Sequence, residues 1–288
     1  MHFGIVVSDP NDWTAKSLRT AFLKRGCEAD FLNFSLLTAF IGPEVKLTSC
    51  GVSLTDIDGL VVRDLGRGKP VDVAFRFEML QALEDLSIPV INPSKAIARA
   101  ANKLGTTLAL EQAGVPTPIT TTTSSLKAAL EFLAKYKKVV FKPLCGYKGR
   151  GIVLLTEEDE TVMRTTLESQ GIVYLQEFIP LENPRDIRAF VVNGEVMGAI
   201  YRVAPVGAWI SNLAKGGRAE PCPVTDELRD LAVRACRAVG AVYSGVDLLE
   251  TSEGLKVIEV NGTPSGKGIY NALRVDVTEA IANHVIGL

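Results

Sequence analysis

The first third of the chain alternates short apolar runs with helix-like stretches, and this alternation restricts the fold more than any other feature. The apolar runs are 2–8, 29–34, 59–62 and 88–91, and the helix-like stretches are 14–25 and 70–86. Strands that alternate with helices build a parallel sheet covered by helices. The sequence therefore predicts a parallel α/β unit at the N-terminus.

Asn92-Pro93-Ser94 interrupts this alternation, and Ser94 is a good helix cap, so we place a domain boundary after residue 93. One helix is predicted from Ser94 to Ala113, before Gly114. Strands are predicted at 139–142 and 152–155, and a third segment begins with a strand at 172–179. The predicted domains are residues 1–93, 94–171 and 172–288.

The third segment has the pattern of antiparallel strands. Asn193-Gly194 separates apolar runs at 187–192 and 195–203, which is a strong hairpin signal. An amphipathic helix is predicted at 226–239, and a second hairpin from the runs 246–249 and 256–260.

Composition excludes several kinds of chemistry. The 288 residues carry a formal net charge of −2, so no global basic field favours nucleic acid or an anionic membrane. His2 and His284, the only histidines, lie at the chain ends, which excludes most Ser-His-Asp, Cys-His and His-rich zinc sites. Five scattered cysteines without a CxxC pair, and no signal peptide or long apolar run, favour a cytoplasmic location.

A strand, a glycine-rich loop and a return strand follow one another at 139–155. The first strand ends in Lys142, and the loop contains Gly146, Tyr147, Lys148 and Gly149. Glycines let backbone amides approach phosphate oxygens, and the lysines add positive charge. No helix follows the loop, so it is neither a P-loop nor a Rossmann fingerprint. The motif suits a flap over phosphates, and it equally fits a hairpin with a solvated basic tip.

Oxygen-bearing side chains accompany the two strands of the second predicted hairpin. Asp247 lies on one strand, and Glu259 and Asn261 lie two residues apart on the other, so both point to one face. Such ligands suit Mg²⁺ when nucleotide phosphates complete its octahedron. Strands also end in Asp and Asn simply because turns follow, but buried carboxylates need a partner. The pattern favours a metal site.

Charged residues lie along the first predicted hairpin. Asp186 and Arg188 share a strand face, and Arg202 lies on the partner strand, where a guanidinium could neutralise a transferring phosphoryl group. A cross-strand salt bridge on a solvated face would give the same pattern. The edge of the 172–179 strand is a weaker candidate for adenine and ribose recognition, since such strands are mostly core.

Taken in order, these segments resemble the ATP-grasp superfamily, and in particular its RimK-like branch of α-L-glutamate ligases. The matching elements are Asn102-Lys103, Gly114–Pro118, Lys142-Pro143 with its loop, Gln176-Glu177-Phe178-Ile179, Asp186-Ile187-Arg188, Ser211-Asn212-Leu213, Gly216-Gly217, Gly245-Val246-Asp247 and Glu259-Val260-Asn261. The stretches 62–66, 180–186 and 209–212 resemble a narrower group, the tetrahydromethanopterin:α-L-glutamate ligases, which add glutamate to a folate-like one-carbon carrier.

The resemblance implies an ATP-grasp fold of two α+β lobes behind a Rossmann-like pre-ATP-grasp domain. It implies ligation of L-glutamate to an acceptor carboxylate through an acyl phosphate, with ATP and two Mg²⁺ ions, or Mn²⁺, as cofactors. The implied catalytic residues are Lys142, Arg202 and Asn212, and the implied metal ligands are Asp247, Glu259 and Asn261. The implied ATP contacts are Lys103, Lys142, Gly146, Tyr147, Lys148, Gly149, Gln176, Glu177, Phe178, Ile179, Asp186, Arg188, Ser211 and Asn212.

The acceptor is the least constrained part of this interpretation. Ile210 stands where ribosomal-protein glutamate ligases carry arginine, which argues against a polypeptide substrate. A small-molecule acceptor is expected, with contacts from the glycine-rich 262–268 loop and from the N-terminal arginines and aspartate Arg63, Asp64, Arg67 and Arg76. A protein C-terminus, a carrier protein or a small peptide stays open as the acceptor, as does a non-catalytic nucleotide-binding module. Self-association through Phe75–Met79 is expected, without nucleic acid or membrane partners.

Overall fold

The computed structural model of the chain describes residues 1–146, 150–211, 213 and 216–288. Its strands are β1 (His2–Val6), β2 (Glu28–Leu32), β3 (Leu37–Ile41), β4 (Val45–Ser49), β5 (Val52–Ser53), β6 (Gly59–Val62), β7 (Val90–Ile91), β8 (Thr120–Thr123), β9 (Lys138–Lys142), β10 (Val153–Thr156), β11 (Val173–Glu177), β12 (Arg185–Val192), β13 (Glu195–Val203), β14 (Arg218–Cys222), β15 (Tyr243–Thr251) and β16 (Gly254–Asn261). Its α-helices are α1 (Trp13–Leu23), α2 (Pro70–Asp85), α3 (Ser94–Ala101), α4 (Lys103–Gln112), α5 (Leu126–Tyr136), α6 (Glu160–Gln170), α7 (Asp226–Val239), α8 (Lys267–Leu273) and α9 (Val277–Ile286).

The predicted parallel sheet at the N-terminus is confirmed. Its strand order is β2-β1-β6-β7, and every pairing is parallel. The β-branched and leucine residues of β1 and β6 are buried because helices cover the sheet. The sequence did not predict the three-stranded antiparallel sheet β3-β4-β5, which is inserted before β6. Within the stretch predicted to self-associate, Phe75 is exposed but Met79 is buried in the core.

The single helix predicted from Ser94 to Ala113 is wrong, because the structure divides it into α3 and α4 at Asn102. This residue has an extended backbone (φ −110°, ψ 110°), and its side chain caps α4 by accepting a hydrogen bond from the Gly105 amide. The break also places Lys103 at the glycine-rich loop, since its amide donates to the carbonyl of Leu144 at 3.0 Å.

An antiparallel sheet of order β10-β9-β11-β8 forms the central lobe. The predicted hairpin around the glycine-rich loop is present, with Val153 opposite Phe141. The predicted boundary between residues 171 and 172 assigns β11 to the third domain. The structure differs, because β11 pairs with β9 and β8 and so completes the central sheet.

The second lobe is an antiparallel sheet of order β14-β13-β12-β15-β16, with α7 packed on one face. The hairpin at Asn193-Gly194 has positive φ at both turn residues, as its sequence predicts. A bulge in β16 shifts the register, so that Asp247 lies opposite Glu259 while the next residue, Leu248, lies opposite Val257. A bulge of this kind re-aims the side chains beside it.

The C-terminal helices return to the first sheet. α9 shares a hydrophobic cluster with α1 and β1, and Glu279 on α9 pairs with Lys24 and Arg25 just after α1. All five cysteines are free. In the described part of the chain, no helix is long and apolar enough to cross a membrane.

Candidate active site

A cleft of about 810 Å³, including its open mouth, lies between the central sheet and the five-stranded sheet. Its apolar wall contains Val140, Ile152, Phe178, Ile179, Leu181, Trp209, Ile210, Leu249 and Ile258. Its charged and polar wall contains Lys142, Arg185, Asp186, Arg202, Ser211, Asp247 and Glu259. An apolar slot that leads to a small set of converging charges is the usual form of a ligand site.

Lys142 is the last residue of β9 and is only 8% exposed. Its Nζ donates a hydrogen bond of 2.6 Å to Oε1 of Gln176, whose amide nitrogen is in turn 3.1 Å from the hydroxyl of Thr120. Burial lowers the pKa of Lys142 to about 8; Glu259 opposes this shift and Lys103 adds to it. Gln176, predicted as a nucleotide contact, therefore holds the lysine that faces the cleft.

The shifted lysine predicts a pH dependence. Since only protonated Lys142 carries the charge that attracts phosphate, kcat/KM for ATP should fall above a pH of about 8. Lys142→Arg should remove this decline because arginine stays charged, whereas Lys138→Arg at the exposed start of the same strand should keep it. The lowered pKa means that the native state binds fewer protons than the unfolded chain between about pH 8 and about 10.5, so this group makes stability rise with pH there. A wild-type profile in Lys142→Arg would contradict the assignment.

Two arginines and two aspartates form one buried network on β12, β13 and β15. Arg202 makes a bidentate pair with Asp186, its cross-strand neighbour, with 2.7 Å between Nε and Oδ1. It also donates to Asp247 at 2.7 Å, and Arg188 pairs with both oxygens of Asp247. The alternative of a cross-strand salt bridge is thus right about the pairing, but the pair is buried at the cleft and not on a solvated face.

The network fixes the charge of its members. Burial raises the pKa of Asp186, against the opposing effect of Arg202. Burial acts in the same direction on Asp247, but Arg188 and Arg202 outweigh it and hold the pKa of Asp247 below its usual range. For Arg202, burial is outweighed by the two aspartates, which raise its pKa. Arg202 is therefore a permanent cation at the wall of the cleft.

The predicted metal ligands are two carboxylates and an amide at the same edge of the sheet. Asp247 and Glu259 are directly opposite each other, and at the bulge both Ile258 and Glu259 line the cleft. No described residue donates a hydrogen bond to the half-buried carboxylate of Glu259. Oδ1 of Asn261 accepts from the amide of Thr263 at 3.0 Å, which orients it and leaves a second lone pair.

This donor set fits a hard cation. Among the described residues, no group of three His, Cys, Asp or Glu side chains is placed to hold a metal, so phosphate oxygens would complete the coordination. Gly245 lies opposite Asn261, and a Cβ there would be 3.0 Å from Cδ of Arg188 and 2.9 Å from Cβ of Pro264. Glycine therefore leaves room for the side chain of Arg188, which pairs with its cross-strand neighbour Asp247.

The remaining predicted residues do not all line the cleft. Phe178 and Ile179 line the cleft, where the Phe178 ring meets the edge of Trp209 at 6.0 Å, and Ser211 lies beside them. Glu177 is not among the residues that line the cleft; its carboxylate accepts from the amide of Ile119 and lies 3.8 Å from Lys256. Gly146 follows Cys145, which bridges to Asn102. Tyr147, Lys148, Gly149 and Asn212 lie outside the described residues.

Several cleft residues were missed by the sequence analysis. Arg185 and Leu181 line the cleft on the strand entry before Asp186, and Arg185 is itself tied to Glu250 at 2.7 Å. Tyr174, which the sequence analysis also missed, is buried two residues before Gln176, and its hydroxyl lies 2.8 Å from that of Thr107. The segment 180–186 was noticed only as part of a resemblance, because nothing in its own pattern distinguishes a cleft wall from a loop.

A nucleotide-sized cleft between two antiparallel lobes, with a lysine on one side and carboxylates on the other, is the arrangement of an ATP-grasp ligase. The chain belongs to the RimK-like ATP-grasp family, whose domain model matches residues 100–285. Membership in this family implies that the protein binds ATP with Mg²⁺.

Proteins similar to the chain over almost its full length include two from methanogens. The tetrahydromethanopterin:α-L-glutamate ligase of Methanosarcina acetivorans is 37% identical over 98% of this chain and 98% of that protein. The ligase of the same name from Methanococcus maripaludis is 36% identical over 99% and 98%. A solved structure of the ATP-grasp ligase PsnB with minimal precursor, Mg and ADP superimposes with a TM-score of 0.76, at 22% identity over 99% of this chain and 97% of that one.

Proposed function

We propose that the protein joins L-glutamate to a carboxylate of a tetrahydromethanopterin-type one-carbon carrier, using ATP. The observation that carries the proposal is the convergence of Lys142, Arg202, Asp247 and Glu259 on one cleft. The similarity to two glutamate ligases over nearly the whole chain supports the choice of glutamate and of a pterin acceptor.

In this proposal, ATP occupies the cleft. Its adenine lies against the apolar wall at Phe178 and Ile179, and Asp186, whose oxygens have lone pairs left beside Arg202, accepts from the ribose. Lys142, with Lys103 near it, binds the phosphates. Ser211 lines the same cleft, and Gly146, Tyr147, Lys148, Gly149 and Asn212 stay predicted contacts of the nucleotide.

The acceptor carboxylate attacks the γ-phosphorus in line, which gives an acyl phosphate and ADP. The amino group of glutamate then attacks the acyl carbon, so that an amide forms, phosphate leaves and the amine loses a proton. The first step needs no base, because the carboxylate is already a nucleophile. Arg202, with Asn212, stabilises the charge on the acyl phosphate, and Arg202 cannot lose its proton in doing so.

Asp247, Glu259 and Asn261 would hold two Mg²⁺ ions, or Mn²⁺, which supply positive charge to the phosphates when bound. Arg188 and Arg202 pair with Asp247 in the structure. Their guanidinium groups keep its carboxylate ionised, which is the form that a metal requires.

The test is a phosphate-release screen with ATP, Mg²⁺ and L-glutamate over candidate acceptors. Tetrahydromethanopterin should give release that requires glutamate, and its mass should increase by one glutamyl residue. Peptides with free C-termini serve as the comparison, because PsnB, which shares the fold, was solved with a precursor. Release with a peptide and none with the pterin would move the acceptor to polypeptides. Release with no acceptor at all would reject the ligase.

The expected cytoplasmic location and self-association stay predictions. Size-exclusion chromatography with light scattering would test self-association, with Phe75→Ser as the variant at the exposed position.

A further inference from the structure

The first sheet has a switch point between β1 and β6. From β1 the chain moves outward to β2 on one side, and it later returns to β6 on the other side of β1. Ligands of open parallel sheets bind in the crevice at the carboxyl ends of the strands where the order reverses. Here those ends are Ser8, after β1, and Arg63, after β6. Neither residue belongs to the ATP cleft.

Arg63 is a buried guanidinium with too few partners. Its side chain is 4% exposed, and the nearest carboxylate oxygen, on Asp12, is 3.6 Å from Nε. Nε has no hydrogen-bond acceptor among the described residues, and Nη1 makes one long contact of 3.5 Å to the hydroxyl of Tyr243. A buried charge that is left partly unsatisfied is costly.

The neighbouring charged residues do have structural partners. Asp64 accepts from the amides of Ser8 and Gly66, at 3.1 and 2.9 Å. Nη1 of Arg76 donates to the carbonyls of residues 65, 66 and 67. These bonds account for Asp64 and Arg76 as supports of the loop after β6. Arg63 is therefore the residue of this group with hydrogen-bonding capacity to spare.

The crevice adjoins the strand that carries Asp247, because the hydroxyl of Tyr243 on β15 donates to the carbonyl of Val62 at the end of β6. The loop after Asn261 docks on the start of α1, where the hydroxyl of Thr14 accepts from the amide of Gly266 at 3.1 Å. Trp13 packs on Tyr270 with ring centroids 5.2 Å apart. Tyr243, which meets Arg63, lies on the same face of β15 as Asp247, four residues away, which is roughly 13 Å along a strand. Gly245 lies between them without a side chain.

We propose that the switch-point crevice binds the acceptor, and that Arg63 pairs with an anionic group of the acceptor other than the carboxylate that is ligated. This rests on the proposed function, because the reacting carboxylate is taken to lie at Asp247 and Glu259. The acceptor class is then an acid that carries a second anionic group besides the carboxylate that is ligated.

A purely structural role for Arg63, as a bridge between Asp12 and Tyr243, makes different predictions. If the role were structural, replacing Arg63 would lower the stability of the protein and weaken the binding of every ligand to a similar extent. An acceptor contact would change acceptor binding alone. Arg63→Met removes the charge while keeping most of the side-chain volume, and Arg63→Lys keeps a charge without the planar fork.

The experiment is calorimetric titration of the full chain, without ATP, by tetrahydromethanopterin and by tetrahydropteroate, which carries a single carboxylate. AMPPNP with Mg²⁺ is titrated as the nucleotide control. Arg63→Met should weaken the binding of tetrahydromethanopterin by about 10-fold or more, since a charge-assisted hydrogen bond is lost. The affinity of Arg63→Lys should lie between those of the parent and Arg63→Met. Tetrahydropteroate should bind equally to all three proteins, and AMPPNP should be unaffected.

The proposal is overturned if Arg63→Met binds tetrahydromethanopterin as tightly as the parent does. It is also overturned if Arg63→Met weakens the binding of AMPPNP by a similar factor. Failure of the parent to bind tetrahydromethanopterin also overturns it. Failure of the proposed function has a separate readout: a protein that binds the pterin through Arg63, yet adds no glutamyl residue to it, retains the subsite and loses the ligase assignment.

Discussion

Replacing Glu259 by glutamine should reduce ligation by about 10³-fold, through loss of the charge that the phosphates require. Glu259 lies opposite Asp247 at the floor of the cleft, and its carboxylate has no donor in the described part of the chain. Glutamine keeps the shape and one oxygen but removes the negative charge. Calorimetry should show that Mg²⁺ no longer strengthens AMPPNP binding, while AMPPNP alone binds as before.

The matched control is Glu253→Gln on the turn of the same hairpin. That side chain is 74% exposed and pairs with Lys256 at 2.8 Å. The same chemical change there should leave turnover and Mg²⁺ dependence as in the parent, because exposed ion pairs contribute little. If Glu259→Gln still shows the full effect of Mg²⁺ on AMPPNP, the metal assignment at β15 and β16 is wrong.

The parts of the fold that local signals control were predictable. Helix α7 begins and ends as predicted, because Thr225 caps the Leu228 amide and Gly240 takes a left-handed conformation (φ 78°). The turn at Asn193-Gly194 follows from two residues that accept positive φ. The helix ends and the turn each depend on a few neighbouring residues, so the sequence pattern alone is enough to predict them.

The parts that depend on distant partners were not predictable. The helical pattern predicted a single helix through Asn102, and it gave no indication that the Lys103 amide bonds the Leu144 carbonyl, forty-odd residues on. The membership of β11 in the central sheet is likewise decided by pairing with β8 and β9. Nothing in the alternation of β16 announces the bulge that brings Ile258 beside Glu259 in the cleft.

In the candidate site, residue types were predictable but their partners were not. The sequence placed Asp186 and Arg188 on one face, which holds, but it gave no indication that Arg188 pairs with Asp247 while Arg202 pairs with both aspartates. Those pairings need the order of β12, β13 and β15 in the sheet. We therefore expect the buried network to contribute to the stability of the folded protein, which the sequence alone did not indicate.

Arg202→Met should destabilise the protein by about 3–5 kcal/mol, because it leaves Asp186 without its ion-pair partner and weakens the support of Asp247. The side chains of Arg202, Asp186 and Asp247 are each no more than 7% exposed, so water cannot replace the lost guanidinium. Thermal or denaturant unfolding would measure the loss, and ligation should fall as well, since the same cation faces the acyl phosphate.

The stability loss in Arg202→Met should also depend on pH. Without Arg202, the main effect that opposes burial is lost, and the pKa of Asp186 rises further above its unfolded value. The native state then binds more protons than the unfolded chain, so the stability of the variant should fall as pH rises through the range between the two pKa values. Adding Asp186→Asn removes the ionisable group and should restore stability at neutral pH, but not ligation. An equal loss at every pH, or no rescue by Asp186→Asn, would mean that Arg202 stabilises the lobe by packing and not by pairing with Asp186.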